Sequence, residues 1–435
     1  MAAAAVLEPL RFRNLTVKNR LFRSSLSGRT DNYDGSGTET RIRWDVKFAR
    51  GGVGAIISSN SAVHPRGLIV PGYAHIDRDD RIPFWRELVN RVHELDCRYL
   101  VQIAFSGRQR DIASVEHPTG LSSTDRPESL HGFPSERMTV GQIEEIVRAF
   151  GRAAYRAREA GADGVEIHGC NGYLITQFLS SEINDRRDDY GGCLENRARL
   201  ALEIVRAIRK EVGRDYHVQF KISVAEHHNE VLPWLRRGNT VEESVQVCRW
   251  LEQAGVDGFH VSSGGAFPHP RNPAGDMPLE DIVRSYDVML SSGRYTFRNY
   301  LLFKTWPFSR LMKWWWQRPS RRGVEGINLP LARAVKEAVS VPVVCAGGFQ
   351  TQSVIAAAIA DGACDAVSMA RPLLANPDLP LLFARGHDRA PKPCTYCNRC
   401  LVNFIEMPLG CYEESRFASR EEMTRQLLAA FDPAS

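Results

Sequence analysis

No run of uncharged apolar residues in this chain of 435 reaches the roughly 18 that a membrane-spanning helix needs, so a transmembrane reading is excluded. The start, Met1-Ala-Ala-Ala-Ala-Val-Leu-Glu8, lacks the basic residues of a secretory leader and meets a charge too early. A reducing, cytoplasmic setting is therefore expected. Excess charge is scarce as well, +5 over the whole chain, which gives no reason to expect nucleic acid. Ten cysteines in a reducing compartment argue against disulfides, and the crowding of four near the end asks for a metal.

What is present alternates between strand and helix. Candidate strands are 19–27, 54–58, 99–103, 163–168, 217–223, 258–263, 341–346 and 365–369, with helical periodicity between them at 39–50, 80–95, 139–160, 195–212, 241–254, 329–339 and 351–361. Thr139 and Gln142 form a capping-box pattern at the start of the longest helix. Eight such units predict a (β/α)8 barrel rather than an open doubly wound sheet, and the chain exceeds a minimal barrel of roughly 250 residues by additions to one domain. The expected organisation is a barrel over 1–390 with an insertion at about 266–326, and a cysteine-rich extension over 391–435.

The fourth strand carries the chemistry. Val165 and Ile167 deliver His168 to the strand end, and a polar turn places Asn171 and Tyr173 just beyond. Groups that hold an oxyanion or pass a proton thus leave one strand together, where a barrel places its chemistry; a surface turn would account for the same spacing. Gly347-Gly348 follows strand seven and Arg371 follows strand eight, the two positions after which barrels commonly bind phosphate. No Rossmann glycine fingerprint is present, so a mononucleotide is the expected occupant.

The string 166–178, followed by Asp188-Asp-Tyr-Gly-Gly and Glu195-Asn-Arg197, resembles the signature of the old yellow enzyme family of FMN-dependent oxidoreductases. That resemblance implies a carbonyl-holding pair at His168 and Asn171, and a proton donor at Tyr173. It also implies flavin contacts from Ser27, Asn60, Gln102 and Lys221 beside the phosphate site of Gly347, Gly348 and Arg371. Two departures bear on chemistry. Lys221 stands where relatives usually have Arg, keeping the charge near reduced flavin without the bidentate fork. Phe105 replaces a His common in relatives, and Asn60 a small residue, so substrate shape does not carry over.

Cys394, Cys397 and Cys400, spaced by three, with Cys411 beyond, can converge on one centre. Four thiolates suit a [4Fe–4S] cluster or zinc. The run resembles the cluster motif of the branch containing trimethylamine dehydrogenase and bacterial 2,4-dienoyl-CoA reductase, which implies an iron–sulfur cluster beside FMN. Few residues follow Cys411, so the nucleotide-binding domains of that branch are not expected here. Electrons then come from NAD(P)H or from a protein partner.

Between 288 and 324 there is no acidic residue. Eight cations (Arg294, Arg298, Lys304, Arg310, Lys313, Arg318, Arg321, Arg322) alternate there with aromatics that include the triplet Trp314-Trp315-Trp316. Such a segment suits an anionic membrane surface, as a peripheral contact on the inner face, or a lid or subunit contact that buries its aromatics. The expected activity is reduction of an activated alkene, with hydride passing from flavin N5 and Tyr173 protonating the product. Amine oxidation or demethylation through the cluster is the alternative, and a non-catalytic, metal-stapled membrane scaffold is the reading from another class.

Overall fold

Short runs rich in Val, Ile and Phe form strands here because both faces of a parallel sheet are covered and apolar side chains pack on each. The computed structural model describes residues 5–26, 28–110, 117–228 and 238–432. Eight strands lie in one parallel ring: β1 (Leu21–Arg23), β2 (Ala55–Ile57), β3 (Arg98–Ala104), β4 (Gly164–Gly169), β5 (His217–Ser223), β6 (Gly258–Ser262), β7 (Val343–Ala346) and β8 (Ala366–Met369). Each pairs with its neighbours in order, and β8 closes on β1 with Val367 opposite Leu21, which leaves the barrel no edge.

All eight expected strands are found, with differences at their ends that have local causes. The first begins at Leu21 rather than 19, because Asn19 turns its side chain onto the Leu21 N–H (3.1 Å) and the Gly52 carbonyl (2.9 Å) and occupies them before the ladder starts. A hairpin, Leu10–Arg11 against Thr16–Val17, plugs the lower end with Leu10, Phe12, Leu15 and Val17 packed on Phe22, Ile57, Leu100 and Val344.

Among the described residues the α-helices before the insertion are α1 (Glu39–Arg50), α2 (Ile82–His93), α3 (Val140–Glu159), α4 (Leu174–Leu179), α5 (Leu194–Val212) and α6 (Val241–Ala254). The expected capping box is formed, with Thr139 accepting from the Gln142 N–H at 3.2 Å and the Gln142 side chain accepting from the Thr139 N–H at 2.8 Å. The insertion after β6 folds into α7 (Leu279–Asp287), α8 (Thr296–Lys304) and α9 (Phe308–Trp316). Beyond it come α10 (Leu329–Lys336), α11 (Gln352–Ala360), α12 (Arg371–Ala375), α13 (Leu379–Ala384), α14 (Arg399–Asn403) and α15 (Arg420–Leu428). Among the described residues no helix is long and apolar enough to cross a membrane. All ten cysteines are free.

The C-terminal segment folds onto the barrel, with Leu409 in the main apolar core. Its cysteine turn is bonded to the loop after β7. Gln350 donates to the Cys394 carbonyl (3.1 Å) and accepts from the Cys394 N–H (2.9 Å), while the Tyr396 hydroxyl donates to the Gly348 carbonyl.

Candidate active site

At the end of β4 the chain must reverse within a few residues, and Asn171 (φ 62°) and Gly172 (φ 76°) supply two consecutive left-handed conformations. A Cβ on Gly172 would lie 2.6 Å from the Gly265 carbonyl oxygen, so only glycine fits. Gln177 of α4 then locks the turn, donating to the carbonyls of Gly172 (2.7 Å) and Ser106 (3.1 Å). The result brings His168 and Tyr173 together edge-on, with ring centroids 4.7 Å apart. Both are buried, and Tyr173 packs with Ile69, Val70 and Tyr73.

Burial, reinforced by the Lys221 ammonium, pushes the His168 imidazole down to about 3, so the ring is neutral throughout the physiological range. A neutral imidazole can donate a hydrogen bond to an oxygen without adding a charge. Asn171 completes the pair. Its Oδ1 accepts from Asn272 Nδ2 at 2.7 Å and from the Cys170 thiol at 3.3 Å, which leaves its own Nδ2 as the group to offer a ligand. Asn272 is held in turn by the Ser263 carbonyl (3.1 Å) and the Ser262 hydroxyl (3.2 Å). Sequence reasoning missed Asn272, because nothing in its neighbourhood marks a residue whose partner is 101 positions away. Asn272→Leu is expected to weaken the binding of a phenolate at this site by about tenfold, the scale of one hydrogen bond to a charged group. His168→Ala with Asn171→Ala should weaken it further, and an unchanged spectral titration in both would remove these residues from the oxygen-holding role.

Below this layer lies a second group that only the strand alternation hints at, since Glu166 shares a face with His168. The Glu166 carboxylate accepts from Gln102 Nε2 (2.7 Å) and Gln219 Nε2 (2.6 Å), and lies 2.7 Å from His260 Nδ1. Burial alone would raise its pKa, but His260, Lys221 and the Gln219 amide outweigh that and hold it at about 2. An ionised carboxylate only accepts, so both amides turn their N–H groups to it and their carbonyl oxygens away. The Gln102 Oε1 is thereby left buried without a partner among the described residues, as is the Asn60 Nδ2.

These orphans test whether a flavin fits. Its pyrimidine edge carries an N–H beside a carbonyl, which matches an orphaned acceptor on Gln102 and an orphaned donor on Asn60. The Lys221 ammonium, on the β5 residue paired with His168, has no hydrogen-bond or ion-pair partner among the described residues and suits an electron-rich ring nitrogen. The residues present fit FMN. Ser27 lies outside the described residues.

The phosphate end differs in part from expectation. Gly348 has φ 73°, and the N–H groups of Gly347 and Gly348 have no partner among the described residues. The N–H groups of Gln350 and Thr351 are already satisfied, because the Glu325 carboxylate accepts from both (2.8 and 2.6 Å). One nitrogen of the Arg371 side chain is already engaged. Its Nη1 donates to the Ala274 carbonyl (2.7 Å) and Asn398 Oδ1 (2.5 Å), and its guanidinium lies 5.3 Å from the Tyr396 ring centre. The contact is tertiary: α12 delivers Arg371 against the base of the insertion and the cysteine turn, where Ala274 and Asn398 accept from that one nitrogen.

Arg371 also lines a small pocket with Cys394, Cys397, Cys400 and Cys411. Tyr396 (φ 56°) and Asn398 (φ 62°) are left-handed without being glycine, a strained turn that points successive thiols to one side. Burial pushes the Cys394, Cys397 and Cys400 thiols up, with Arg371 opposing the shift at Cys394 and Cys400. Among the described residues no three His, Cys, Asp or Glu side chains are arranged to hold one metal ion. The four cysteines share the lining of that one small pocket.

A family model described as NADH:flavin oxidoreductase / NADH oxidase matches residues 5–273. The chain is 31% identical over 423 residues to the NADH oxidase of Thermoanaerobacter brockii, a match covering 94% of this chain and 57% of that one. It is 28% identical over 398 residues to the cinnamate reductase of Clostridium sporogenes, covering 90% and 54%. Its fold matches a solved 2-naphthoyl-CoA reductase complex with a TM-score of 0.78 at 25% identity, covering 99% of this chain and 58% of that one. The chain thus spans about half the length of these curated relatives.

Proposed function

The chain belongs to the NADH:flavin oxidoreductase / NADH oxidase family, and on that premise we propose that it reduces a carbon–carbon double bond activated by a neighbouring oxygen function. The observation that carries this reading is the pairing of a neutral, buried His168 with an Asn171 whose free donor is set by Asn272, both beside a buried tyrosine. Two neutral donors side by side hold an oxygen on which negative charge develops. The Tyr173 hydroxyl, on the same turn, holds the proton that the α carbon takes up. The apolar wall of Ile69, Val70 and Tyr73 excludes water from it.

Gln102, Asn60 and Lys221 would hold the ring of FMN, and the N–H groups of Gly347 and Gly348 its phosphate. Bound FMN supplies the hydride. The names of the cinnamate and 2-naphthoyl-CoA reductases support the reductive direction. Four thiols lining one pocket suit a [4Fe–4S] cluster, whose irons each take one thiolate, with zinc on the same four thiolates as the alternative. NAD(P)H or an external protein is the proposed electron source.

Anaerobic half-reactions test the direction. Flavin reduced chemically is expected to be reoxidised by α,β-unsaturated carbonyl compounds, and oxidised flavin to be unaffected by methylamines. Reduction by a methylamine with no response to any enone would overturn the proposal in favour of amine oxidation. Protein that binds no flavin at all would favour a scaffold.

A further inference from the structure

We propose that α8, α9 and the turn between them form a ridge by which this protein docks on an anionic lipid bilayer. The insertion divides its aromatic residues into two sets. Tyr286 and Phe303 stack at 5.3 Å and, with Met277, form a small core that Tyr300, Met312 and Trp316 cover. The second set faces solvent: Phe297 and Leu301 one turn apart on α8, Trp306 (73% exposed) and Phe308 at the turn, and Leu311 and Trp314 at successive threes on α9. No residue of α9 is buried. The inner core accounts for the helices being folded, and it leaves the outer ridge unexplained. An apolar ridge of this size beside polar residues marks an interaction surface.

Charge identifies the occupant. Of the eight cations between 288 and 324, Lys313 pairs with Asp276 at 3.0 Å, and the other seven have no carboxylate partner among the described residues. Arg318 and Arg321 lie 5.6 and 5.0 Å from the Trp314 ring centre, and Arg310 adjoins Leu311, so cations rim the apolar ridge. Tryptophan and phenylalanine flanked by Arg and Lys, with no carboxylate along 37 consecutive residues, are complementary to headgroups above acyl chains. The ridge is also tied to the site. The loop at its base reaches Asn171 through Asn272, and Asn398 of the cysteine turn donates to the carbonyls of Pro273 (3.3 Å) and Asp276 (2.8 Å). Docking therefore brings the membrane to the barrel end that carries His168, Tyr173 and the four thiols. This inference does not depend on which substrate is reduced.

The test is co-sedimentation of the flavin-loaded full chain with vesicles of phosphatidylcholine alone and of phosphatidylcholine mixed with phosphatidylglycerol. Since each basic residue near an anionic surface strengthens partitioning by roughly fivefold, the mixed vesicles are expected to bind about a hundredfold more tightly, with a steep loss at high salt. Combining Trp306→Ser, Phe308→Ser and Leu311→Ser at exposed positions should lower that binding by about tenfold or more, with flavin content and thermal midpoint unchanged. Arg310→Gln with Arg318→Gln and Arg321→Gln should remove the preference for phosphatidylglycerol. The proposal falls if the protein ignores both vesicle types, or if the ridge variant binds as well as its parent, which would mean charge adsorption alone. It falls equally if the ridge variant converts a dimer to a monomer while the parent stays off vesicles, because the ridge then covers a second copy of this chain.

Discussion

Tyr173→Phe is expected to leave flavin reduction by the electron donor at its original rate, and to slow flavin reoxidation by an activated alkene on the order of 10²-fold or more, the scale of a lost general acid. The substitution removes one oxygen and keeps the ring that packs edge-on to His168 and against Ile69, Val70 and Tyr73. Folding and flavin content therefore serve as controls. The effect should be largest for alkenes whose α carbon is least basic, because there the proton is hardest to transfer. Stopped-flow traces of the two half-reactions separate the steps. A reoxidation rate equal to that of the parent would take Tyr173 out of the reaction and leave it as part of the pocket wall.

Anaerobically purified protein is expected to hold about four irons per chain, with absorbance near 400 nm beyond that of bound flavin. Cys400→Ala should lose nearly all of that iron. Cys400 lines the pocket together with Cys394, Cys397 and Cys411, all four partly buried, and a cluster missing one thiolate is labile. The same variant reports on the wiring around the turn. Gln350 and Tyr396 bond the cysteine loop to Gly348, so emptying the thiol pocket is expected to weaken flavin retention as well. Cys193→Ala, at an exposed thiol remote in sequence, should change neither quantity. Stoichiometric zinc without iron would refute the redox reading and leave a structural staple.

The strands and most helices are legible in the chain because they depend on neighbours a few residues apart. Alternation and apolar runs marked β1 to β8, and Thr139 with Gln142 marked where α3 starts. The His168, Asn171 and Tyr173 turn is legible for the same reason, since one strand end carries all three. The amide orientations are not. Gln102 and Gln219 come from strands far apart in sequence, and only the pairing of β3 and β5 on either side of β4 sets both against Glu166, whose ionised carboxylate then decides which way each amide faces.

Distance along the chain also explains what sequence reasoning placed differently. Arg371 follows β8 as a phosphate-binding arginine would, and its Nη1 also donates to Ala274 and Asn398, 97 and 27 positions away. In the insertion the count of aromatics and cations was plain from the start, but not their division. Which rings enter the small core of Tyr286 and Phe303, and which are left on the ridge, depends on how α7, α8 and α9 cross.

Local composition and spacing by themselves therefore determined that this is a parallel barrel with a polar turn after its fourth strand, four clustered thiols and a basic aromatic insertion. Tertiary structure alone decided which amide faces the site, where Arg371 is held and which tryptophans meet water. Periodicity is a property of adjacent residues, whereas a hydrogen-bond partner 101 positions away exists only once β4, β5 and β6 have paired.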